Sequence, residues 1–318
     1  MSATAIEVTD LVKVYRENSA SPLRALDGLS LRVRREEIYG LLGRNGAGKT
    51  TLLRVLTTLI RPTGGRVSVL GHDVVADPLE VRRNICVVLQ ENAVELFLSV
   101  RDNLETYARF QGIPREEIRR RADRSIEQFG LAEHQNQKVI DLSGGLKRRV
   151  QVAKVFMVDK PLVFLDEATT GMDPMNKRAT LDAIREQTAK GRTIFLTTHV
   201  LQEAEELCDS IAIIDQGKLV AGGDIQAIKA MASGALELTI TFETLTPEML
   251  GRLRSLPALK LSHHNTTVEM CIKGEEATML QLVAELARDT RILHFEASGA
   301  TLEDAFFELL GDRGRETS

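Results

Sequence analysis

Residues 43–50 read Gly-Arg-Asn-Gly-Ala-Gly-Lys-Thr, which fits the pattern G-x-x-x-x-G-K-[ST]. The apolar run 38–42 precedes them and predicts a buried strand, and apolar residues at helical spacing follow up to residue 60. A glycine-rich turn between a strand and a helix suits an anion, because unpaired N–H groups at the helix start point at it. The segment therefore predicts a phosphate site. A chance match in an unrelated glycine-rich turn is the alternative, and the flanking elements disfavour it.

The residue types in this turn indicate which anion it binds. The glycines let the backbone approach phosphates closely, and Lys49 is predicted to reach the β- and γ-phosphates of a nucleoside triphosphate. The Thr50 hydroxyl suits Mg²⁺. The residues that we expect to contact the nucleotide are Gly43, Arg44, Asn45, Gly46, Ala47, Gly48, Lys49, Thr50 and Thr51.

A second predicted site follows the apolar run 162–165, where Asp166 and Glu167 are adjacent. The run predicts a buried strand, and α/β sheets bind ligands at the carboxyl ends of their strands. Consecutive side chains leave a strand in different directions, so the two acids can take separate roles. We expect Asp166 to hold Mg²⁺ and Glu167 to polarise the water that attacks the γ-phosphate. Two solvated acids at a strand end are the alternative.

A third segment, 142–146, reads Leu-Ser-Gly-Gly-Leu and precedes a helical pattern. Ser143 is a typical N-cap, and Gly144 and Gly145 expose the N–H groups behind it, which makes a second anion site. One triphosphate cannot readily use two phosphate sites of the same chain. We therefore expect a homodimer that sandwiches two nucleotides, each chain offering this segment to its partner's γ-phosphate. An ordinary capped helix is the alternative.

Together these segments resemble the motifs of the nucleotide-binding subunit of ATP-binding cassette (ABC) transporters, and the resemblance covers residues 5–223. Residues 43–50 match the family's Walker A motif, 162–167 its Walker B motif and 142–146 its signature loop. The resemblance implies an α/β fold, a P-loop ABC ATPase cassette with a mixed sheet core and a helical subdomain. It also implies ATP and Mg²⁺ as cofactors.

Four further residues match functional positions of the family. Gln90 matches the Q-loop glutamine, which the resemblance implies senses Mg²⁺ and the attacking water and faces the membrane partner. Asp173 matches the D-loop aspartate, and His199 matches the switch histidine that contacts the γ-phosphate. Tyr15 matches the aromatic residue that stacks on adenine. Taken singly, His199 and Tyr15 have ordinary structural interpretations, but the order and spacing of the whole set favour the family.

The chain departs from the common family pattern at four positions. Arg44 replaces a proline, Glu36 a glycine, Leu146 a glutamine and Ala168 a proline. None of these changes removes a phosphate, metal or water contact, because the loop contributes mainly backbone N–H groups. We therefore expect hydrolysis to survive.

The segment at about 91–155 is rich in helical patterns, and the resemblance implies that it is the helical subdomain, whose surface around 91–100 receives the membrane partner. Its basic run, Arg119 to Arg121 with Arg124, could suggest nucleic acid. Acidic residues at helical spacing favour a solvated, ion-paired face instead.

Composition limits the remaining possibilities. A chain of 318 residues predicts about two domains. The net charge of −4 and the aromatic content of 4% argue against a nucleic-acid partner. Three scattered cysteines fit a reducing compartment. Because no apolar run approaches the length that spans a bilayer, we expect another chain to supply the membrane part.

Residues 224–318 predict a second domain after the cassette at 1–223. Alternating apolar residues mark strands, and the order β-α-β-β-α-β suggests a small α+β ferredoxin-like domain, with helices at 247–256, 275–289 and 301–310. The segment 300–307 resembles the tail of ATPases that energise daunorubicin-type drug exporters. We expect this domain to strengthen dimerisation or regulate the cassette.

The resemblance implies an ATP-hydrolysing subunit that energises a separate transmembrane permease and exports a drug, antibiotic or other hydrophobic small molecule. It implies a cytoplasmic protein, peripheral on the inner face of the cell membrane. Two alternatives remain: a soluble ABC ATPase acting on nucleic acid or ribosomes, and a regulatory module that binds ATP without turning it over.

Overall fold

The structure, a computed structural model, divides the chain into two compact units, residues 1–222 and 223–318. Gln90 lies outside the described residues, and so does most of the helix predicted at 275–289. The described residues are 3–16, 21–88, 93–231, 235–254, 258–273, 284, 287, 290–299 and 301–311.

Three short apolar strands form the centre of the first unit: β3 (Ile38–Leu42), β7 (Leu162–Asp166) and β8 (Thr193–Thr198). Every residue in them is buried, which is typical of parallel strands covered on both faces. They pair in parallel in the order β3-β8-β7, so their carboxyl ends meet at one edge of the sheet. This edge is where α/β sheets place their ligands.

Further strands extend this sheet on both sides. β6 (Ile85–Val88) pairs in parallel with β7, and β9 (Ser210–Asp215) pairs in parallel with β3. With β10 (Lys218–Asp224) at the edge, the full order is β10-β9-β3-β8-β7-β6.

A second, antiparallel sheet of the first unit carries Tyr15. Its long strands β1 (Thr4–Tyr15) and β2 (Leu23–Arg34) pair so that Tyr15 lies opposite Leu23. β4 (Gly64–Val69) and β5 (His72–Asp73) complete the order β2-β1-β4-β5.

The helix after the glycine-rich turn, α1 (Lys49–Leu56), ends earlier than its apolar spacing predicts. Thr58 adopts a left-handed backbone conformation with φ of 62°. The N–H groups of Leu59 and Ile60 both donate to the Arg54 carbonyl, which closes a turn instead of continuing the helix. The apolar residues beyond Leu56 therefore belong to this turn.

The middle part of the sequence of the first unit is mainly helical. α3 (Val100–Phe110), α4 (Arg115–Gln128) and α5 (Gly144–Val155) pack against one another. Within the basic run, Arg121 pairs with Glu117 at 2.7 Å and with Asp159 at 2.6 Å. The other helices of this unit are α2 (Pro78–Asn84), α6 (Pro174–Ala189) and α7 (Leu201–Leu207).

The second unit contains a four-stranded antiparallel sheet in the order β12-β13-β11-β14. The predicted alternation is confirmed, because Leu238, Ile240 and Phe242 of β11 are buried together with Met249 and Leu253 of α9. Its strands are β11 (Ala235–Phe242), β12 (Ala258–His264), β13 (Thr267–Lys273) and β14 (Ile292–Ser298). Its helices include α8 (Ile225–Met231), α9 (Pro247–Arg254) and α10 (Leu302–Leu310).

Among the helices that the structure describes, none has the length and apolar character needed to cross a membrane.

Candidate nucleotide site

The glycine-rich turn at 43–48 connects β3 to α1, and its residues Asn45 and Gly46 are exposed. Gly48, the residue before α1, has φ of 111°, a conformation that favours glycine. A Cβ atom at this position would lie 2.7 Å from the carbonyl oxygen of Ala25. Both backbone geometry and space therefore require glycine here.

A cavity of about 530 Å³ lies over this turn. It brings Tyr15 of β1 and Glu167 of the β7 end together with residues of the turn, although these segments are far apart in the sequence. Gln216, which sequence reasoning missed, is also in the lining. The lining residues are Tyr15, Leu23, Arg24, Ala25, Asn45, Gly46, Ala47, Gly48, Lys49, Thr50, Thr51, Glu167 and Gln216.

Lys49 folds back over the turn. Its Nζ atom donates to the carbonyl oxygens of Gly43 at 2.6 Å and Arg44 at 3.2 Å. Burial lowers the pKa of Lys49, and the charges of Glu167 and Asp166 partly offset this. A poorly hydrated ammonium group at the start of a helix is suited to a multiply charged phosphate.

Asp166, the last residue of β7, is buried at 4% exposure, where an uncompensated carboxylate is unfavourable. Its register partner on the adjacent parallel strand is Thr197 of β8. The Thr197 hydroxyl donates to Asp166 Oδ1 and thereby orients the carboxylate. Sequence reasoning missed Thr197, although its position at the end of a neighbouring strand was an available signal.

Glu167 turns sharply away from the strand. Its φ of 49° is left-handed, a conformation that costs a non-glycine residue roughly 1–3 kcal/mol. Its backbone N–H donates to the Thr197 carbonyl at 3.1 Å, which holds this conformation in place. The side chain then reaches His199, whose Nδ1 atom lies 3.0 Å from Glu167 Oε1. The structure thus brings together two predicted site residues.

Arg148 of α5 binds the backbone at the turn after β7. Sequence reasoning also missed this residue. Its guanidinium group is buried and donates to three consecutive carbonyl oxygens, those of Asp166, Glu167 at 3.0 Å and Ala168 at 3.3 Å. Burial lowers the pKa of Arg148, while the charges of Asp166 and Glu167 raise it. A planar guanidinium with several N–H donors can serve several acceptors at once.

The segment 142–146 lies apart from the cavity. Ser143 caps α5, its Oγ atom accepting from the Leu146 N–H at 3.3 Å, and Ser143 and Gly144 are exposed. Gly145 is buried, and a Cβ atom there would lie 3.2 Å from Met172 Cα. Among the described residues that line the cavity, none comes from this segment.

Asp173 caps α6 and also lies outside the cavity lining. Its carboxylate accepts from the N–H of Asn176 at 3.0 Å and from the Asn176 side chain. These hydrogen bonds lower the pKa of Asp173.

Asp166 and Thr50 offer oxygen atoms of the kind that bind Mg²⁺. Within the described part of the chain, no group of three or more His, Cys, Asp or Glu side chains could hold a metal ion. Asp166 offers one buried carboxylate and Thr50 one exposed hydroxyl. Mg²⁺ commonly binds through one or two such groups together with water and substrate phosphates.

Comparison with known proteins also indicates a nucleotide-binding protein. Residues 26–170 match the family described as ABC transporter. The chain is 42% identical over 234 residues to the daunorubicin resistance ATP-binding protein DrrA3 of Streptomyces coeruleorubidus, covering 74% of this chain and 72% of that protein. The chain belongs to the ABC transporter family. Within this family it is an ATPase.

The similarity extends beyond the cassette. The daunorubicin/doxorubicin resistance ATP-binding protein DrrA of Streptomyces peucetius is 36% identical over 310 residues, covering 96% of this chain and 92% of that protein. A solved ATP-binding subunit of an ABC transporter, 31% identical, has a TM-score of 0.63 over 71% of this chain and 92% of its own. CbiO1 from Clostridium perfringens, part of the ABC transporter complex CbiONQ, is 26% identical with a TM-score of 0.65, covering 72% and 92%.

Proposed function

We propose that this chain is the ATP-hydrolysing subunit of an exporter that removes a drug, antibiotic or other hydrophobic small molecule. It energises a separate transmembrane permease. The observation that carries this proposal is the similarity to the Streptomyces peucetius resistance protein, because it spans both units rather than the cassette alone. The alternatives acting on nucleic acid or ribosomes have no comparable support, and the ion-paired basic run disfavours a nucleic-acid partner.

In this proposal each predicted residue has a chemical task. The backbone of residues 43–51 and Lys49 offset the phosphate charge. Thr50 and Asp166 would hold Mg²⁺, which would neutralise charge developing on the phosphates. Tyr15 stacks on adenine, and its place in the same cavity supports this role. Gln90, outside the described residues, senses the metal and the attacking water, on family resemblance alone.

We assign to Glu167 the role of polarising the water that attacks the γ-phosphate. Its side chain is largely buried at 12% exposure and lies at the cavity edge. His199 orients this carboxylate through Nδ1, and the family resemblance implies that it would contact the γ-phosphate. A carboxylate held in place by a neighbouring side chain is suited to polarising a single water molecule.

Two chains complete the site. Ser143, Gly144 and Gly145 form a capped helix start, and none of them is among the described residues that line the cavity of their own chain. A homodimer would place this segment, together with Asp173, against the partner's γ-phosphate. ATP binding would then close the dimer, and hydrolysis would reopen it.

The permease is expected to dock on the segment at 91–100. In its described part, 93–100, Phe97 is 76% exposed and Leu96 is also exposed. Large apolar side chains at the surface are typical of protein contacts. Docking there would hold the chain on the cytoplasmic face of the cell membrane.

Residues 1–223 act as the nucleotide-binding domain, with a helical subdomain at about 91–155, and residues 224–318 form a ferredoxin-like domain. The antiparallel order β12-β13-β11-β14 supports this, because a β-α-β-β-α-β sandwich places its first and third strands in the centre. This domain strengthens dimerisation or regulates the cassette. Deleting 225–318 should weaken dimerisation or change the ATPase or transport rate; no change in all three would contradict the assignment.

Glu167→Gln tests the catalytic assignment. We expect turnover to fall roughly 10²–10⁴-fold while ATP still binds, because the amide cannot accept a proton from the water. Phosphate release measures turnover, and equilibrium binding of ATP is the matching control. Near-normal hydrolysis in the variant would show that another group activates the water.

Co-purification tests the transport assignment. The full-length chain should retain a membrane protein with several spanning helices, and drug efflux from cells should require both proteins. Efflux that persists after deletion of this chain would contradict an energising role.

A further inference from the structure

Glu203 lies in α7, just after the predicted switch residue His199, and has no direct part in the proposed binding or hydrolysis of ATP. It is buried at 7% exposure, where a carboxylate is stable only with charged or hydrogen-bonding partners. Three side chains supply them. Oε2 accepts from the hydroxyl of Thr169 at 2.7 Å and that of Thr198 at 3.2 Å, and Oε1 pairs with Lys177 Nζ at 2.7 Å.

Each partner belongs to a different segment of the candidate site. Thr169 lies two residues after Glu167, and Thr198 immediately precedes His199. Lys177 lies in the first turns of α6, and its backbone N–H donates to the carbonyl of Asp173 at 2.9 Å. One buried carboxylate therefore connects the Walker B end, the switch histidine and the D-loop helix.

The direction of these hydrogen bonds matters. An ionised carboxylate only accepts, so both threonine hydroxyls must donate to it. The Thr198 oxygen is then left to accept, and it does so from the Val200 N–H at 3.0 Å. The resulting turn holds the backbone on both sides of His199.

We propose that Glu203 is a positioning residue for ATP hydrolysis. It holds the Glu167–His199 pair at a fixed position relative to α6. The inference rests on the proposed roles of Glu167 and His199. Glu203 does not line the cavity, so its influence on turnover passes through the three segments that it joins.

Glu203→Gln preserves the shape of the side chain but replaces one accepting oxygen with a donating NH₂ group. If the amide oxygen faces the threonines, the NH₂ group opposes the Lys177 ammonium; if the amide is flipped, NH₂ faces hydroxyls that must then accept. In the first orientation Lys177 loses its acceptor. In the second, Lys177 loses its ionic partner and both hydroxyls must change from donors to acceptors, so either orientation weakens the hold on α6. Glu206→Gln is the matched control, because Glu206 lies on the same helix, is 39% exposed and forms an ion pair of 3.8 Å with Arg178.

The experiment measures kcat and KM for Mg-ATP in the full chain, with thermal unfolding in parallel. We expect kcat of Glu203→Gln to fall about 10- to 100-fold with KM changed less than about threefold, since a small misplacement affects chemistry more than binding. Glu206→Gln should stay within about twofold of wild type. A kcat within about threefold of wild type for Glu203→Gln, or a parallel loss of kcat and ATP binding, would overturn the proposal.

Two further variants separate positioning from stability. Thr198→Val removes the hydroxyl and should also lower kcat about tenfold, whereas Thr198→Ser keeps it and should restore near-normal kcat. Adding Glu203→Gln to His199→Ala should cause little further loss, because the two act through one unit. Full additivity would overturn the inference, and so would equal activity of the Thr198→Val and Thr198→Ser variants, a test that stands even if Glu203→Gln does not fold.

Failure of the proposed function gives a different result. If wild type hydrolyses no ATP, or Glu167→Gln stays fully active, the underlying assignment is wrong. If wild type is active, Glu167→Gln is inactive and Glu203→Gln matches wild type, only the positioning role is wrong.

Discussion

His199 Nδ1 lies 3.0 Å from Glu167 Oε1, although the two residues are separated by 32 positions in the sequence. The contact arises because β7 and β8 are adjacent parallel strands, so the residues that follow them emerge side by side. Glu167 completes the approach through its left-handed backbone. A predicted base and a predicted switch residue thus form one unit.

Replacing His199 should therefore reduce turnover without removing ATP binding. We expect His199→Ala to lower kcat about 10²-fold, since Glu167 loses the partner that orients its carboxylate. His134→Ala is the control, because the His134 ring lies 3.1 Å from Gln137 Oε1 and does not line the cavity. Phosphate release by both variants checks this. A His199 variant within about threefold of wild type would show that the contact is incidental.

The glycine at position 48 should be intolerant of any side chain. Gly48→Ala combines a left-handed φ with a Cβ atom 2.7 Å from the Ala25 carbonyl oxygen. We expect a loss of roughly 1–3 kcal/mol in the free energy of unfolding and ATP binding weakened at least about tenfold. Gly251→Ala in α9 meets no atom within 4 Å and should be neutral or slightly stabilising. Chemical denaturation and ATP titration measure both; equal behaviour would refute the argument.

Arg148 should not be replaceable by lysine. A single ammonium cannot serve three consecutive carbonyl oxygens, so Arg148→Lys leaves buried acceptors unpaired at a cost of about 1–3 kcal/mol. We also expect lower kcat, because these carbonyls belong to Asp166, Glu167 and the next residue. The exposed Arg178→Lys should change stability by less than about 0.5 kcal/mol. Unchanged unfolding of Arg148→Lys would contradict this role.

A charge at Gly144 should separate folding from dimerisation. The position is exposed, a Cβ atom there would meet no other atom within 4 Å, and an acidic residue in the first turn suits the helix itself. Gly144→Asp should therefore fold normally, yet repel the partner's γ-phosphate. In the Glu167→Gln background, sedimentation with ATP should show dimers for Gly144→Ser and monomers for Gly144→Asp. Dimers in both would reject the proposed sandwich.

The Asp173 cap should weaken in acid. Hydrogen bonds from the Asn176 backbone and side chain lower the pKa of Asp173 in the folded chain below its ordinary value. The folded pKa is thus depressed, so the stabilisation is complete above the unfolded pKa and is lost as pH falls through the folded pKa. Asp173→Asn cannot titrate, so the stability of wild type relative to this variant should decline below about pH 4. A difference that stays constant as the pH is lowered through this range would contradict the cap.

The sequence predicted most of the candidate site, because each motif is local. Residues 43–50 specify a turn through their own glycines, and β3, β7 and β8 are visible as apolar runs bounded by polar residues. The alternation of β11 is equally local. Helix ends were less predictable: α1 stops at Leu56 because Thr58 takes a left-handed conformation, which apolar spacing does not reveal.

Glu36 shows how a sequence departure acquires a structural explanation. The family's usual glycine at this position is matched by a φ of 62° in this chain. The Glu36 N–H donates to Thr193 Oγ1 at 2.9 Å, which helps to hold a conformation that glycine adopts without strain.

By itself, therefore, the sequence determined which residues are proposed to meet a nucleotide and the strands and turn that carry them. Only the tertiary structure decided how the side chains of these residues are oriented. Thr197 orients Asp166, Arg148 holds the carbonyls behind Glu167, and Glu203 joins three segments. These contacts depend on which strands are neighbours and on which buried charges need partners, and both are settled only when distant parts of the chain pack together.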